Sequence, residues 1–115
     1  MEKINLGDNV ITDSGMGSIT TLLNNYPRIS ALNLSSNMIS GEGVETCLAE
    51  LISNTSLVHL DLGVTESSVR KNSLGMQGAV CISQLLLRNQ TLESLCLNDN
   101  DFGPDGGECI GVALA

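Results

Sequence analysis

The chain has 115 residues, 42% of them hydrophobic, with a formal net charge of −8 and a pI near 4.2. Five Lys or Arg, one Phe, one Tyr and no Trp supply neither a basic patch nor an aromatic platform, so nucleic acid and anionic membrane are not expected partners. With no signal-like leader and no run of about 18 apolar residues, the expectation is a single cytoplasmic domain that spans no membrane.

The first segment, residues 1–28, places Ile4 and Leu6 in alternation, then Asn9, Ile11 and Gly15, then Met16, Ile19 and Leu23. Residues 29–56 repeat the order with Ile29, Leu32, Leu34, Asn37, Ile39 and Gly43, followed by Val44, Cys47, Leu48 and Leu51. Residues 57–91 start it again at Leu57, Leu60 and Leu62, slip by seven residues, and resume at Asn72, Leu74, Gly78, Ala79, Ile82 and Leu86. Residues 92–115 carry Leu92, Leu95, Leu97, Asn100, Phe102 and Gly106, and stop partway along a fourth helix. Four units of one grammar on a 28-residue period, one with an insertion, describe a repeat array.

Each unit combines two periods. The Leu-x-Leu core alternates as a short strand, and the apolar residues after it fall at helical spacing. Thr12 and Ser40 are placed to cap helices, Pro104 to open one, and Asn25, Asn54 and Asn89 to end them in a left-handed conformation. Strands stack about 4.8 Å apart and helices about 8–10 Å, so the strand side becomes concave and the helix side convex. Asn9, Asn37, Asn72 and Asn100 are expected inside, satisfying backbone groups where each strand turns away.

The grammar Leu-x-x-Leu-x-Leu-x-x-Asn-x-Ile/Leu-x-x-x-Gly, with a full helix per unit, resembles the ribonuclease-inhibitor-like class of leucine-rich repeats. The resemblance covers the whole chain. It implies an α/β fold: a right-handed solenoid forming a horseshoe segment, with a parallel β-sheet on the concave face and α-helices on the convex face. It also implies an intracellular, non-catalytic scaffold for protein–protein interaction, with no cofactor.

Residues between the strand leucines face the concave side, and the column Asn5, Asn33, Asp61, Cys96 runs along its middle. Asp8, His59, Glu93 and Asp99 flank that column, so as a recognition surface the face would suit a protein partner of basic character; the alternative is a plain solvated face with the binding units outside these residues. His59, Asp61 and Cys96 lack both a pocket and metal-ligand spacing, so they are not expected to hold a metal or to catalyse. The Asp99-Asn-Asp-Phe-Gly turn is no EF-hand, because its twelfth position is Ile110.

The insertion spans residues 63–72 and carries Arg70 and Lys71 on an acidic chain. A loop of this length on a rigid scaffold is a second candidate contact surface. It also resembles the GTPase-activating protein of the Ran GTPase, whose same-class repeats bear a functional basic residue on a loop at this type of position. That resemblance implies GTPase regulation as an alternative; a structural spacer in a cytoskeletal or ciliary assembly is another.

The four cysteines do not form a disulfide framework. Cys81 and Cys109 occupy equivalent helix positions too far apart to bridge, Cys47 lies on a buried stripe and Cys96 faces outward. Free thiols suit a reducing compartment. The sequons at Asn33, Asn54 and Asn89 follow from the repeat grammar and are not expected to carry glycans. Leu6, Ile11 and Ile19 at one end, and Phe102, Ile110 and Leu114 at the other, are expected to face solvent. Either a longer solenoid or end-on stacking with another chain would cover them.

Overall fold

The computed structural model describes the backbone of residues 2–65 and 68–114, with side chains at 109, 110 and 112–114 outside that description. The expectations for Cys109, Ile110 and Leu114 therefore lie outside the described residues. Strand and helix alternate: β1 (Glu2–Asn5), α1 (Met16–Asn25), β2 (Ile29–Asn33), α2 (Gly41–Ser53), β3 (His59–Asp61), α3 (Gly75–Arg88), β4 (Ser94–Cys96) and α4 (Gly103–Leu114). A 3-10 turn, Asp13–Gly15, precedes α1.

The four strands form one parallel sheet in the order β1-β2-β3-β4. Ile4 pairs with Leu32, Leu32 with Leu60, and Leu60 with Leu95. These steps of 28, 28 and 35 residues reproduce the sequence period and its one slip. Leu32, Leu34, Leu60 and Leu62 are at most 2% exposed and pack, with Val44, Cys47, Ile82 and Leu85, in the layer between sheet and helices. On α3, Leu85 is fully buried along with Ala79 and Ile82, whereas Leu86 is only partly buried.

The first unit and the last are less enclosed. Ile4, Leu6 and Ile11, and likewise Leu92, Leu95, Leu97 and Phe102, are partly buried. The expectation that Leu6, Ile11, Ile19 and Phe102 face solvent is thus corrected: Ile19 is 5% exposed and the others are partly buried. One neighbouring unit suffices to cover most of such a side chain.

The glycine of each unit sits against the apolar residue four positions before it. A Cβ at Gly15 would lie 2.7 Å from Ile11 Cγ2, one at Gly43 2.9 Å from Ile39 Cγ2, and one at Gly106 3.0 Å from Phe102 Cβ. At Gly78 the obstacle is Leu74 Cβ. The first helical turn can close over its own entry residue only where no side chain intervenes.

The asparagine ladder is inward in three units. Asn72 is fully buried; its Nδ2 donates to the carbonyls of Leu34 (3.0 Å), Leu62 (3.1 Å) and Gly63 (3.2 Å). Its Oδ1 accepts from the backbone N–H groups of Asn37 and Ile39, each at 2.9 Å. Asn37 and Asn100 likewise donate to the preceding unit, at Leu6 O and Leu62 O. Asn100 Oδ1 is buried and meets no donor among the described residues. Asn9 departs from the expectation: it is exposed and, among the described residues, donates only within its own unit, to Leu6 O and Gly7 O.

Several helix ends also differ from expectation. Ser40 caps α2, accepting from Glu42 N at 3.3 Å. Thr12 makes no side-chain capping bond; its φ of 59° leads into the 3-10 turn, and its hydroxyl pairs with Ser14. Gly103 opens α4 with φ 70°, so right-handed geometry starts at Pro104. Asn54 and Asn89 are extended, not left-handed. Each turns its Oδ1 onto the next segment instead: Asn54 accepts from Ser56 N and Leu57 N, Asn89 from Thr91 N and Leu92 N. The side chain thereby guides the chain from helix into the next strand. Asn25 is the last residue of α1, whose C-cap is Tyr26.

Candidate functional site

Strand alternation turns two rows of side chains away from the core. In the first row Lys3 pairs with Ala31, Ala31 with His59, and His59 with Ser94. In the second Asn5 pairs with Asn33, Asn33 with Asp61, and Asp61 with Cys96. The column expected from the repeat spacing is therefore assembled, and the two rows line a groove of about 340 Å³. His59 and Asp61 share a strand but occupy different rows, whereas Cys96 sits beside Asp61.

The second row has a local task that its spacing did not suggest. Asn5 Oδ1 accepts from Gly7 N (2.9 Å), Asn33 Oδ1 from Ser35 N (2.9 Å), and Asp61 Oδ1 from Gly63 N (2.8 Å). Each is an Asx-type turn that stops the strand and redirects the backbone. Cys96 has no carbonyl or carboxylate to offer; its thiol instead meets Asn98 Oδ1 at 3.0 Å. Asn98 lies over Gly63, where a Cβ would collide with its Oδ1, and its Nδ2 donates to Val64 O.

Asp8 and Asp99 are placed differently from the expectation that put them on strands. They lie in the turns after β1 and β4, with φ of 56° and 57°, a left-handed conformation that Asp tolerates better than most residues. Glu93 is exposed just before β4, its backbone N–H bonded to Val58 O. Lys71 is exposed in the insertion.

The insertion folds back over the sheet's rim. Thr65 N donates to Ser36 Oγ (2.6 Å), and the Thr65 hydroxyl pairs with that of Ser35 (3.1 Å). Ser68 Oγ donates to Asp8 Oδ1 (2.6 Å), and Arg70 Nη1 reaches the same oxygen at 3.4 Å. The Ser68 hydroxyl, and then the Arg70 guanidinium, hold the Asp8 carboxyl below the usual carboxylate range. Two expected contact residues, Asp8 and Arg70, are thus brought to each other. No local pattern could have indicated this, since it joins turns of the first and third units. Glu66 and Ser67 of the 63–72 loop lie outside the described residues.

Cys47, Cys81 and Cys96 are free thiols. Burial pushes the Cys47 thiol up, against a hydrogen bond with Thr20 that pulls it down; burial also raises Cys81, with Glu45 adding to it. Among the described residues no group of three or more His, Cys, Asp or Glu is arranged to hold a metal, and no helix is long and apolar enough to cross a membrane.

A family model described as Leucine Rich repeat matches residues 1–19, 29–46 and 88–111. The gap at 47–87 contains the insertion. Over 89 residues the chain is 33% identical to Rho GTPase-activating protein gacW of Dictyostelium discoideum, covering 74% of this chain and 7% of that protein. Among solved structures, Leiomodin-1 Actin-Binding Site 2 has a TM-score of 0.82 at 19% identity, covering 97% of this chain and 62% of that one. That likeness is one of fold. The chain spans less than two thirds of either relative.

Proposed function

Because the chain belongs to the leucine-rich repeat family, we propose that it is a non-catalytic scaffold that binds a protein through the concave sheet face and the 63–72 loop. The observation that carries this reading is the pair of outward rows on the sheet, which no other element covers among the described residues. Asp61, Glu93 and Asp99, toward the β3–β4 end, supply anionic contacts for basic groups of that partner. In this reading residues 1–115 form one domain of four units, 1–28, 29–56, 57–91 and 92–115. The full helix per unit suits the ribonuclease-inhibitor-like class, and the free thiols suit the cytoplasm.

Affinity capture tests the reading. Asp61→Asn with Glu93→Gln should abolish capture of a partner that the wild-type chain retains. Glu42→Gln with Glu108→Gln, on helices α2 and α4, should not. Equal capture by all three chains would remove the concave face from the reading.

A second reading is regulation of a small GTPase. It has the support of the 33% identity to a Rho GTPase-activating protein and of the basic pair Arg70–Lys71 on the inserted loop. Stimulated GTP hydrolysis by Rho or Ran GTPases, lost on Arg70→Ala, would favour it over the scaffold. A third, a structural spacer in a cytoskeletal assembly, takes its support from the fold of an actin-binding site. It predicts that capture by the concave face retains nothing.

A further inference from the structure

The hydrogen-bonding capacity of the groove is unevenly distributed. Asn5 and Asn33 each spend their Oδ1 on a turn N–H, at Gly7 and Ser35. Their Nδ2 groups meet no protein acceptor among the described residues. An amide that turns its oxygen onto its own backbone presents mainly its Nδ2 donor to solvent, and at Asn33 the oxygen also accepts from the Ser35 hydroxyl. Beside these two donors, in the adjoining row, stands the Lys3 ammonium. Glu2, the other charged residue of β1, lies beyond a register irregularity between Glu2 and Lys3 and outside the Asn5–Asn33 row.

One strand further on the chemistry reverses. Asp61 occupies the same row and also spends Oδ1 on its turn, at Gly63 N, but its other carboxylate oxygen is an acceptor. Glu93 adds negative charge at that end.

We propose that the concave groove is polarised along the solenoid, with a donor end at Lys3, Asn5 and Asn33 for a carboxylate and an acceptor end at Asp61 for a cation. Its occupant is an extended protein segment carrying one acidic and one basic residue two positions apart. The spacing follows from strand geometry. From between Asn5 and Asn33 to Asp61 is about one and a half strand steps, or ~7 Å, and same-side residues of an extended chain are also ~7 Å apart. A partner of purely basic character would leave the two amides and Lys3 unanswered. This inference rests on the reading of the sheet face as the protein-binding surface.

The repeat supplies clean substitutions. Asp61 shows that a carboxylate closes this turn as an amide does, so Asn33→Asp keeps the turn while replacing the donor by a negative charge. Asp61→Asn keeps its turn in the same way and removes the acceptor charge. The probes are four synthetic peptides, acetyl-Gly-Glu-Ser-Lys-Gly-amide and its three versions with Gln for Glu, for Lys, or for both. Binding is read from amide shifts of the 15N-labelled chain. The Glu/Lys peptide should shift the Asn5 and Asn33 side-chain amides and bind most tightly. Asn33→Asp should weaken it about tenfold, the size of one lost charge-assisted hydrogen bond. Asp61→Asn should erase the preference for Lys over Gln while keeping that for Glu.

Shifts on the sheet face that do not distinguish Glu from Gln would overturn the polarity and leave the binding face standing. Shifts confined to the loop or the helices, or none for any peptide, would overturn both.

Discussion

Asp8 and Arg70, 62 residues apart, meet at 3.4 Å, with Ser68 donating to the same carboxylate oxygen at 2.6 Å. The contact carries the inserted loop past the second unit and fastens it to the first. Both side chains are nearly half open to water, so the pair orders the loop rather than stabilising the fold. Asp8→Asn or Arg70→Ala should therefore raise hydrogen exchange at residues 64–72 a few-fold and leave the global unfolding midpoint nearly unchanged. A large shift in that midpoint would show the loop to be part of the core.

The same contact predicts a direction with pH. The folded Asp8 carboxyl lies below its ordinary value, so its contribution is fully present above the unfolded value of about 3.9 and is lost as pH falls through the lower folded value. Loop exchange in the wild type, corrected for intrinsic rates, should rise on acidification in that window. In Asp8→Asn it should be raised already at pH 7 and show no such step.

Asn72 satisfies five backbone groups in three segments, whereas Asn9, among the described residues, donates only within its own unit. Asn72→Ala should cost about 3 kcal/mol or more in urea unfolding, through buried groups left without partners. Asn9→Ala should stay within about 0.5 kcal/mol. Asn100→Ala should fall between them, since its buried Oδ1 accepts no hydrogen bond among the described residues.

Core position should also grade the leucines. Leu60 is 2% exposed between two neighbouring strands, and Leu95, its counterpart on β4, is partly buried. Leu60→Ala should cost about 2–5 kcal/mol, and Leu95→Ala clearly less. Gly43→Ala should cost about 1–3 kcal/mol, because its Cβ would meet Asp13 Oδ1 and lie 2.9 Å from Ile39 Cγ2. Equal midpoints for wild type and Gly43→Ala would show that the first helical turn shifts freely.

The thiols should separate by reactivity. Cys96 is exposed, whereas Cys47 is 1% exposed and its thiol is held up by burial. With Cys109 replaced by Ser, a disulfide reagent at pH 8 should modify Cys96 on the order of 100-fold faster than Cys47. Comparable rates would mean that the layer between sheet and helices opens readily.

Much of the fold was legible in the residues alone, because a repeat writes its geometry several times over. The alternation of Leu32 and Leu34 and the helical spacing of Val44, Cys47 and Leu51 state which faces meet, and the 28-residue step states the register that Ile4, Leu32 and Leu60 adopt. The concave column of Asn5, Asn33, Asp61 and Cys96 follows from that register as well. The orientation of each side chain was decided elsewhere. Asn5, Asn33 and Asp61 turn an oxygen toward their own backbone, and Asn54 and Asn89 guide the next strand instead of closing the helix before it. Such choices depend on which donor the folded backbone leaves nearby, and a linear pattern does not contain that. The insertion had no repeat to interpret it. Only once the second unit had stacked between them did Arg70 and Asp8 come within reach, since proximity across the solenoid is a product of the tertiary structure and not of any period in the chain.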